Sequence, residues 1–209
     1  MIPIQRRPFL NSFSLFLSAL AVVLALHTLA PILIDRAIAH PSTGTDPRDR
    51  PTALANVTLT PDGLGPLRIN ASPAAAEAAI GTPLDPWETN PNATCHFHGI
   101  PGLEGVGLME SNGAIARIDI WEPAAAITTP AGLGIGNTLR DLERAYPGQV
   151  RLEPHPHLPR WHNAIVTPRA DAAIGTRLNH WLFTLDESNQ IRQFRAGRTP
   201  ELTWANGCA

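Results

Sequence analysis

Lysine is absent from this 209-residue chain: all 16 basic residues are arginine, set against 18 acidic ones. Charged residues make up 16% of the sequence, below the ~25% of an average soluble protein. With a formal charge of -2 and no arginine run longer than two, the chain lacks the electrostatic footprint of a nucleic-acid binder. Neither G-x-S-x-G nor H-E-x-x-H occurs, so the usual serine-hydrolase and zinc-peptidase signatures are missing. There are only two cysteines, and neither lies directly after the N-terminal apolar run, where a lipid anchor on a mature N-terminal cysteine would need one. Collagen-like, coiled-coil and polytopic membrane patterns are missing as well. By contrast, proline is abundant at 21 residues and glycine at 16, which favours many turns over long helices.

The N-terminus has the order of an export signal. Arg6 and Arg7 precede an apolar run from Phe13 to Ile34, and Ala37-Ile38-Ala39 follows as a small-x-small cleavage site. Residues 1–39 therefore read as a signal peptide, with cleavage leaving His40 first. The rival is an uncleaved anchor at 13–34, long enough to cross a bilayer but interrupted by Ser14, Ser18, His27, Thr28 and Pro31. Both readings place the rest of the chain outside the cytoplasm, in the periplasm or beyond. Gln5-Arg-Arg-Pro-Phe-Leu-Asn11 resembles a twin-arginine signal, although Gln5 and Asn11 depart from its flanks; a plain secretory n-region is the alternative. Residues 40–57 are polar and proline-rich, and they read as a flexible linker.

Two stretches resemble one another. Gly63–Gly81 aligns with Gly132–Gly148 at a shift of 66, pairing Ser72 with Thr138 and Glu77 with Glu143. Ser111–Ile118 aligns with Glu187–Phe194 at a shift of 76. Each copy reads as a helix followed by a hairpin. Ser72 and Thr138 are expected N-caps, whose side-chain oxygens accept from first-turn N–H groups. Pro73 suits the first helical position. Leu139, Leu142 and Tyr146 form one apolar stripe. Asn112-Gly113 is a strong hairpin signal. After it, Ala116, Ile118 and Ile120 alternate with Arg117 and Asp119, as in a half-buried strand. Further strands are expected at 94–100, 106–111, 162–167 and 181–185. The expected fold is α+β: two tandem helix–antiparallel-hairpin repeats, at 58–124 and 125–209, packed as one small two-lobed domain.

Chemistry-bearing residues are sparse. Cys95 and Cys208 lie in exported sequence, where two cysteines usually pair. Among the histidines, His96-Phe-His98 and His155-Pro-His157 are H-x-H pairs that a strand would aim to one face. With His162, His155 and His157 form the candidate metal set, and zinc or copper suits imidazole ligands. The bland alternative is hydrogen-bonded surface histidines, with no cofactor. Trp161 and Trp181 are the candidate ligand-binding tryptophans, since an indole suits sugar faces and interfaces; core filling is the alternative reading. No catalytic constellation can be named.

The segments GLGIGNTLRDLERAYPG, EPHPHLPRWH and RAGRTPELTWANGCA resemble a family of uncharacterised secreted bacterial proteins, over roughly residues 59–209. Some members of that family carry a lectin label. The repeated helix–hairpin plan is also similar to the β-lactamase inhibitory proteins and the small outer-membrane assembly lipoproteins, although the anchoring cysteine of the lipoproteins is missing here. The absence of a catalytic constellation in a duplicated, disulfide-tied α+β fold points to an exported, non-catalytic binding or envelope-associated protein, with another envelope protein or a glycan as partner and the membrane touched only through an uncleaved N-terminal segment. A carbohydrate-binding module and a histidine-ligated metalloprotein or hydrolase are the competing readings.

Overall fold

A computed structural model divides the chain into two units, Met1–Pro41 and Ser42–Ala209. The structure describes residues 51–87, 93–122, 124, 126–168 and 179–208, all in the second unit. The export signal, the possible anchor and the first part of the linker lie outside the described residues. Among the described residues, no helix is long and apolar enough to cross a membrane.

The described part is mainly β-structure. A small antiparallel sheet contains β1 (Leu59–Thr60), β2 (Gly63–Leu64) and β3 (Leu67–Arg68). Helix α1 (Pro73–Ile80) follows, and then β4 (Asp85–Pro86), β5 (Cys95–Gly99), β6 (Val106–Ser111) and β7 (Ala114–Trp121). Helix α2 (Leu139–Ala145) precedes β8 (Val150–Pro154), β9 (His162–Val166), β10 (His180–Leu185) and β11 (Ile191–Gly197). The last eight strands form one antiparallel sheet in the order β4-β5-β6-β7-β11-β10-β9-β8.

This architecture overturns the expected α+β fold of two helix–hairpin repeats. Among the described residues there are two α-helices, of eight and seven residues, against sheets of three and eight strands. Nor do the described residues form two separate lobes. Strand β7 pairs with β11, from Gln193 opposite Trp121 to Gly197 opposite Arg117, and this pairing joins the two stretches into one sheet. Part of the reason lies in two proline-bearing segments outside the expected strands. Asp85–Pro86 and Val150–Pro154 pair as the two edge strands, where a missing proline N–H breaks no ladder. The linker expectation also reached too far. Thr52–Leu54 form a 3-10 turn, and Leu54 is buried in the core.

Local signals explain the helices and the hairpin. The Ser72 side chain accepts from Ala75 N–H, Pro73 opens α1, and Gly81 closes it in the left-handed region. Thr138 and Asp141 form a reciprocal capping box on α2. Asn112 and Gly113 take φ of 52° and 77° in the β6–β7 turn.

Both helices are too short to persist alone in water, and both pack on one face of the large sheet. A single cluster of buried side chains covers that inner face. It runs from Leu108, Ile118 and Ile120 through Phe194, Phe183 and Trp181, and takes in Ile80 of α1, Leu142 of α2 and Leu64 of the small sheet. Phe183 and Phe194 stack at its centre, 5.5 Å apart.

Candidate functional site

The register of the large sheet puts a different set of side chains on the outer face. Phe97, Met109, Arg117 and Gly197 lie across the strands in one row, and Gly99, Gly107, Asp119 and Arg195 in the next. Gly99 and Gly107 leave bare backbone on the outer face, and Trp87 fills the space. A Cβ on Gly99 would come within 2.6 Å of the Trp87 indole nitrogen, and one on Gly107 within 2.9 Å of its ring. Trp87 is placed there by its N–H, which donates to the Phe97 carbonyl just beyond β4.

Four side chains form a continuous stack. Trp121 meets Trp87 edge-on at 5.6 Å, and Trp87 lies nearly parallel to Phe97 at 5.7 Å. The Arg117 guanidinium sits over the Phe97 ring at 5.6 Å. Trp87 remains 47% exposed, far more than an indole used only as core filler. Beside it opens a cleft of about 300 Å³, whose lining includes Asp85, Gly99, Leu103, Glu104 and Val106.

The rest of this face is sealed by the C-terminal strap, residues 198–208. Arg117 donates to the carbonyls of Glu201 and Trp204, at 2.8 and 2.9 Å, and its Nε donates to Asp119 at 2.8 Å. Arg195 donates to the Trp204 carbonyl at 3.3 Å. Burial pushes the Arg195 guanidinium down to about 10; Asp119 opposes this shift, and Arg117 adds to it. It therefore stays charged at neutral pH. Leu202 packs against Ile165 and Leu182. Cys208 is disulfide-bonded to Cys95, closing a loop of 113 residues. Next to it, Gly207 lies so close to Phe97 that a Cβ would come within 2.8 Å of the ring. The strap thus backs the same aromatic stack that Trp87 completes.

Within the strap, burial pushes the Glu201 carboxyl up. Hydrogen bonds from Arg198, its own backbone and Ser111, together with the Arg198 charge, outweigh that effect and hold it below the ordinary range.

The residues singled out from sequence are scattered. The disulfide is present. Trp181 is a correction to the ligand-binding expectation: it is 5% exposed, its indole N–H donates to the Leu59 carbonyl at 3.1 Å, and its ring meets Tyr146 at 5.3 Å. Its face is therefore closed to a sugar. Trp161 is half-buried and edge-on to His155 at 6.5 Å.

His155, His157 and His162 do not converge on one point, because among the described residues no three metal-ligating side chains come together. The rings of His155 and His157 are 6.2 Å apart. Nδ1 of His155 accepts from the N–H groups of His157 and Leu158, so one imidazole lone pair already shapes the loop. Burial, then the charges of His157 and Arg195, lower the His155 pKa. In the other H-x-H pair, His98 Nε2 lies 2.8 Å from the Glu110 carboxylate.

Sequence reasoning passed over Trp87. It sits in a stretch rich in proline and asparagine with no alternation to mark a strand; the available signal was the pair of glycines at 99 and 107, opposite one another on adjacent strands. Comparisons with protein-family models, curated proteins and solved structures returned no match.

Proposed function

We propose that the folded unit is an exported, non-catalytic binding or envelope-associated module, and that its contact surface is the outer-face cleft at Trp87. The observation that carries this reading is a large, half-exposed indole held in place by Phe97, Trp121 and two glycines. An exposed ring costs solvation, and a fixed one loses little entropy on binding. The charged, apolar and small-residue order of residues 1–39 supports export, as does a disulfide between the two cysteines. The resemblance of residues 59–209 to secreted bacterial proteins points the same way. A glycan reading would now rest on Trp87, because Trp181 is closed off.

The test compares wild-type protein with Trp87→Ala against a panel of soluble glycans, peptidoglycan fragments, and basic and acidic peptides, read by tryptophan fluorescence. A saturable response that Trp87→Ala abolishes supports the reading. A response of equal size in the variant overturns the placement, and turnover of chromogenic ester, phosphate or glycoside substrates overturns the non-catalytic assignment. N-terminal sequencing of periplasmic protein tests export, with His40 as the expected first residue; recovery only from the cytosol contradicts it.

A further inference from the structure

The large sheet ends in two edges of unlike length. At one, beside Trp87, β4 has two residues; at the other, among the described residues, β8 has five. The bonds flanking β8 fix which of its backbone groups are used. Thr167 N–H donates to the Gln149 carbonyl, and His155 N–H donates to the Trp161 carbonyl. Between them Arg151 lies opposite Ile165 and Glu153 opposite Asn163. In an antiparallel ladder this turns the backbone groups of Arg151 and Glu153 toward β9. The N–H and carbonyl of Val150 and Leu152, and the Pro154 carbonyl, then point away from β9. Side chains alternate too. Val150 and Leu152 lie on the inner side, where Val150 packs against the core and Leu152 is 44% exposed. Arg151 and Glu153 lie on the outer side and form an ion pair at the surface.

We propose that β8 pairs antiparallel with β8 of a second copy of this chain, about a two-fold axis at Leu152. An edge strand is a template for another strand, and two observations select this chain as the partner. The outward backbone groups match. The two Leu152 residues exchange N–H to carbonyl bonds, and each Val150 N–H donates to the Pro154 carbonyl of the other copy. Pro154 has no N–H to give in return, which ends the ladder there. The charges match as well. With Leu152 opposite Leu152, Arg151 of each copy faces Glu153 of the other, giving two cross-strand pairs of opposite charge. A guanidinium has five donors and a carboxylate accepts several, so the ion pair within each strand persists. Slipping the copies by two residues either way sets Arg151 against Arg151 or Glu153 against Glu153, so one register is favoured. The exposed Leu152 side chains meet at the axis and leave water. The contact is self-complementary, as a two-fold interface requires, and small, so the dimer is weak. Both outer faces lie on one side of the joined sheet, with the two Trp87 ends farthest apart.

The test is sedimentation velocity of the purified protein from about 1 µM to about 1 mM, the range of a weak dimer. The expected result is a monomer–dimer equilibrium, with amide exchange at Val150 and Leu152 slowing as the dimer fills while β4 is unchanged. Arg151→Glu and Glu153→Arg should each raise the dimer dissociation constant by about fivefold or more, because each sets like charges opposite one another twice. The combined variant, whose charges are complementary again, should return to within about twofold of wild type. Both side chains are at the surface, and circular dichroism checks that each variant is folded. A monomer throughout the range overturns the inference. So does a dimer that neither single variant weakens, or one that the combined variant fails to restore.

Discussion

The two faces of the eight-stranded sheet are built from different chemistry. The inner face is one apolar cluster under two short helices, and its only tryptophan, Trp181, has its polar end satisfied by a backbone carbonyl. The outer face combines aromatic rings, two buried arginines and a largely buried carboxylate, and it is closed by a strap with one 3-10 turn rather than by an α-helix. One side of the same strands therefore serves stability, and the other presents a surface. The contrast explains why Trp87 is left half exposed while Trp181 is buried.

If this division is right, the largest loss of stability comes from the inner face. Phe183 is fully buried against Phe194, so Phe183→Ala should cost about 3–5 kcal/mol through lost transfer energy and the cavity left behind. Urea unfolding followed by circular dichroism checks it. A loss below ~1 kcal/mol would mean that the inner cluster is not the core.

Next comes the crosslink that holds the strap. Cys95→Ser/Cys208→Ser should cost about 2–5 kcal/mol, since the closed loop is long. The loss should be accompanied by faster amide exchange at residues 198–208 and around Phe97, while β9 and β10 stay protected. Uniform loss of protection would merge the two faces into one cooperative unit.

Arg117→Ala should have a similar but smaller effect, about 2–3 kcal/mol, because it removes the donor to the Glu201 carbonyl and one of the two arginine donors to the Trp204 carbonyl. Its thermal midpoint, compared with that of the disulfide variant and of the combination, shows whether both act through the strap; full additivity would separate them.

Acid should act on the strap and on the loops. Glu201, Asp141 and Asp186 all have carboxyls held below their ordinary values. For Glu201, burial is overcome mainly by Arg198; for Asp141, the cause is the Thr138 backbone and hydroxyl; for Asp186, it is chiefly the Gln190 N–H. Their folded pKa values lie below the unfolded ones. The stabilisation is therefore complete above the unfolded values of 4.5 and 3.8, and it is lost as pH falls through the folded ones. His180 is lowered by burial and then by Arg151, and adds a loss that begins below its unfolded value of 6.5. The urea midpoint should stay level from pH 8 to 7 and decline toward pH 3; a rise on acidification would contradict these assignments.

The smallest effect on stability belongs to Trp87→Ala, about 1 kcal/mol from the lost ring contacts, because half of the ring already faces water. Calorimetry checks it, and a loss as large as that of Phe183→Ala would make Trp87 a core residue.

Much of the local structure was legible in the sequence. The alternation of Ile118 and Ile120 with Arg117 and Asp119, the Asn112-Gly113 turn and the caps at Ser72 and Thr138 each depend on neighbours a few residues away. The partner of Cys95 was also legible, because there was one other cysteine. The joining of β7 to β11 was not, since strand order is set by packing across the whole sheet and leaves no short-range pattern. The tryptophans show the same limit. Trp161 and Trp181 lie beside histidines, a local feature that drew notice, whereas Trp87 is defined by Gly99 and Gly107, residues that matter by what they lack.

The most direct measurement is hydrogen exchange of the five indole N–H groups in ¹⁵N-tryptophan-labelled protein, first alone and then with whichever member of the ligand panel binds. The account predicts that Trp181 keeps its proton longest and does not shift, while Trp87 exchanges at once and shifts first on binding. A protected, immobile Trp87 alongside a Trp181 that exchanges quickly or answers the ligand would contradict it.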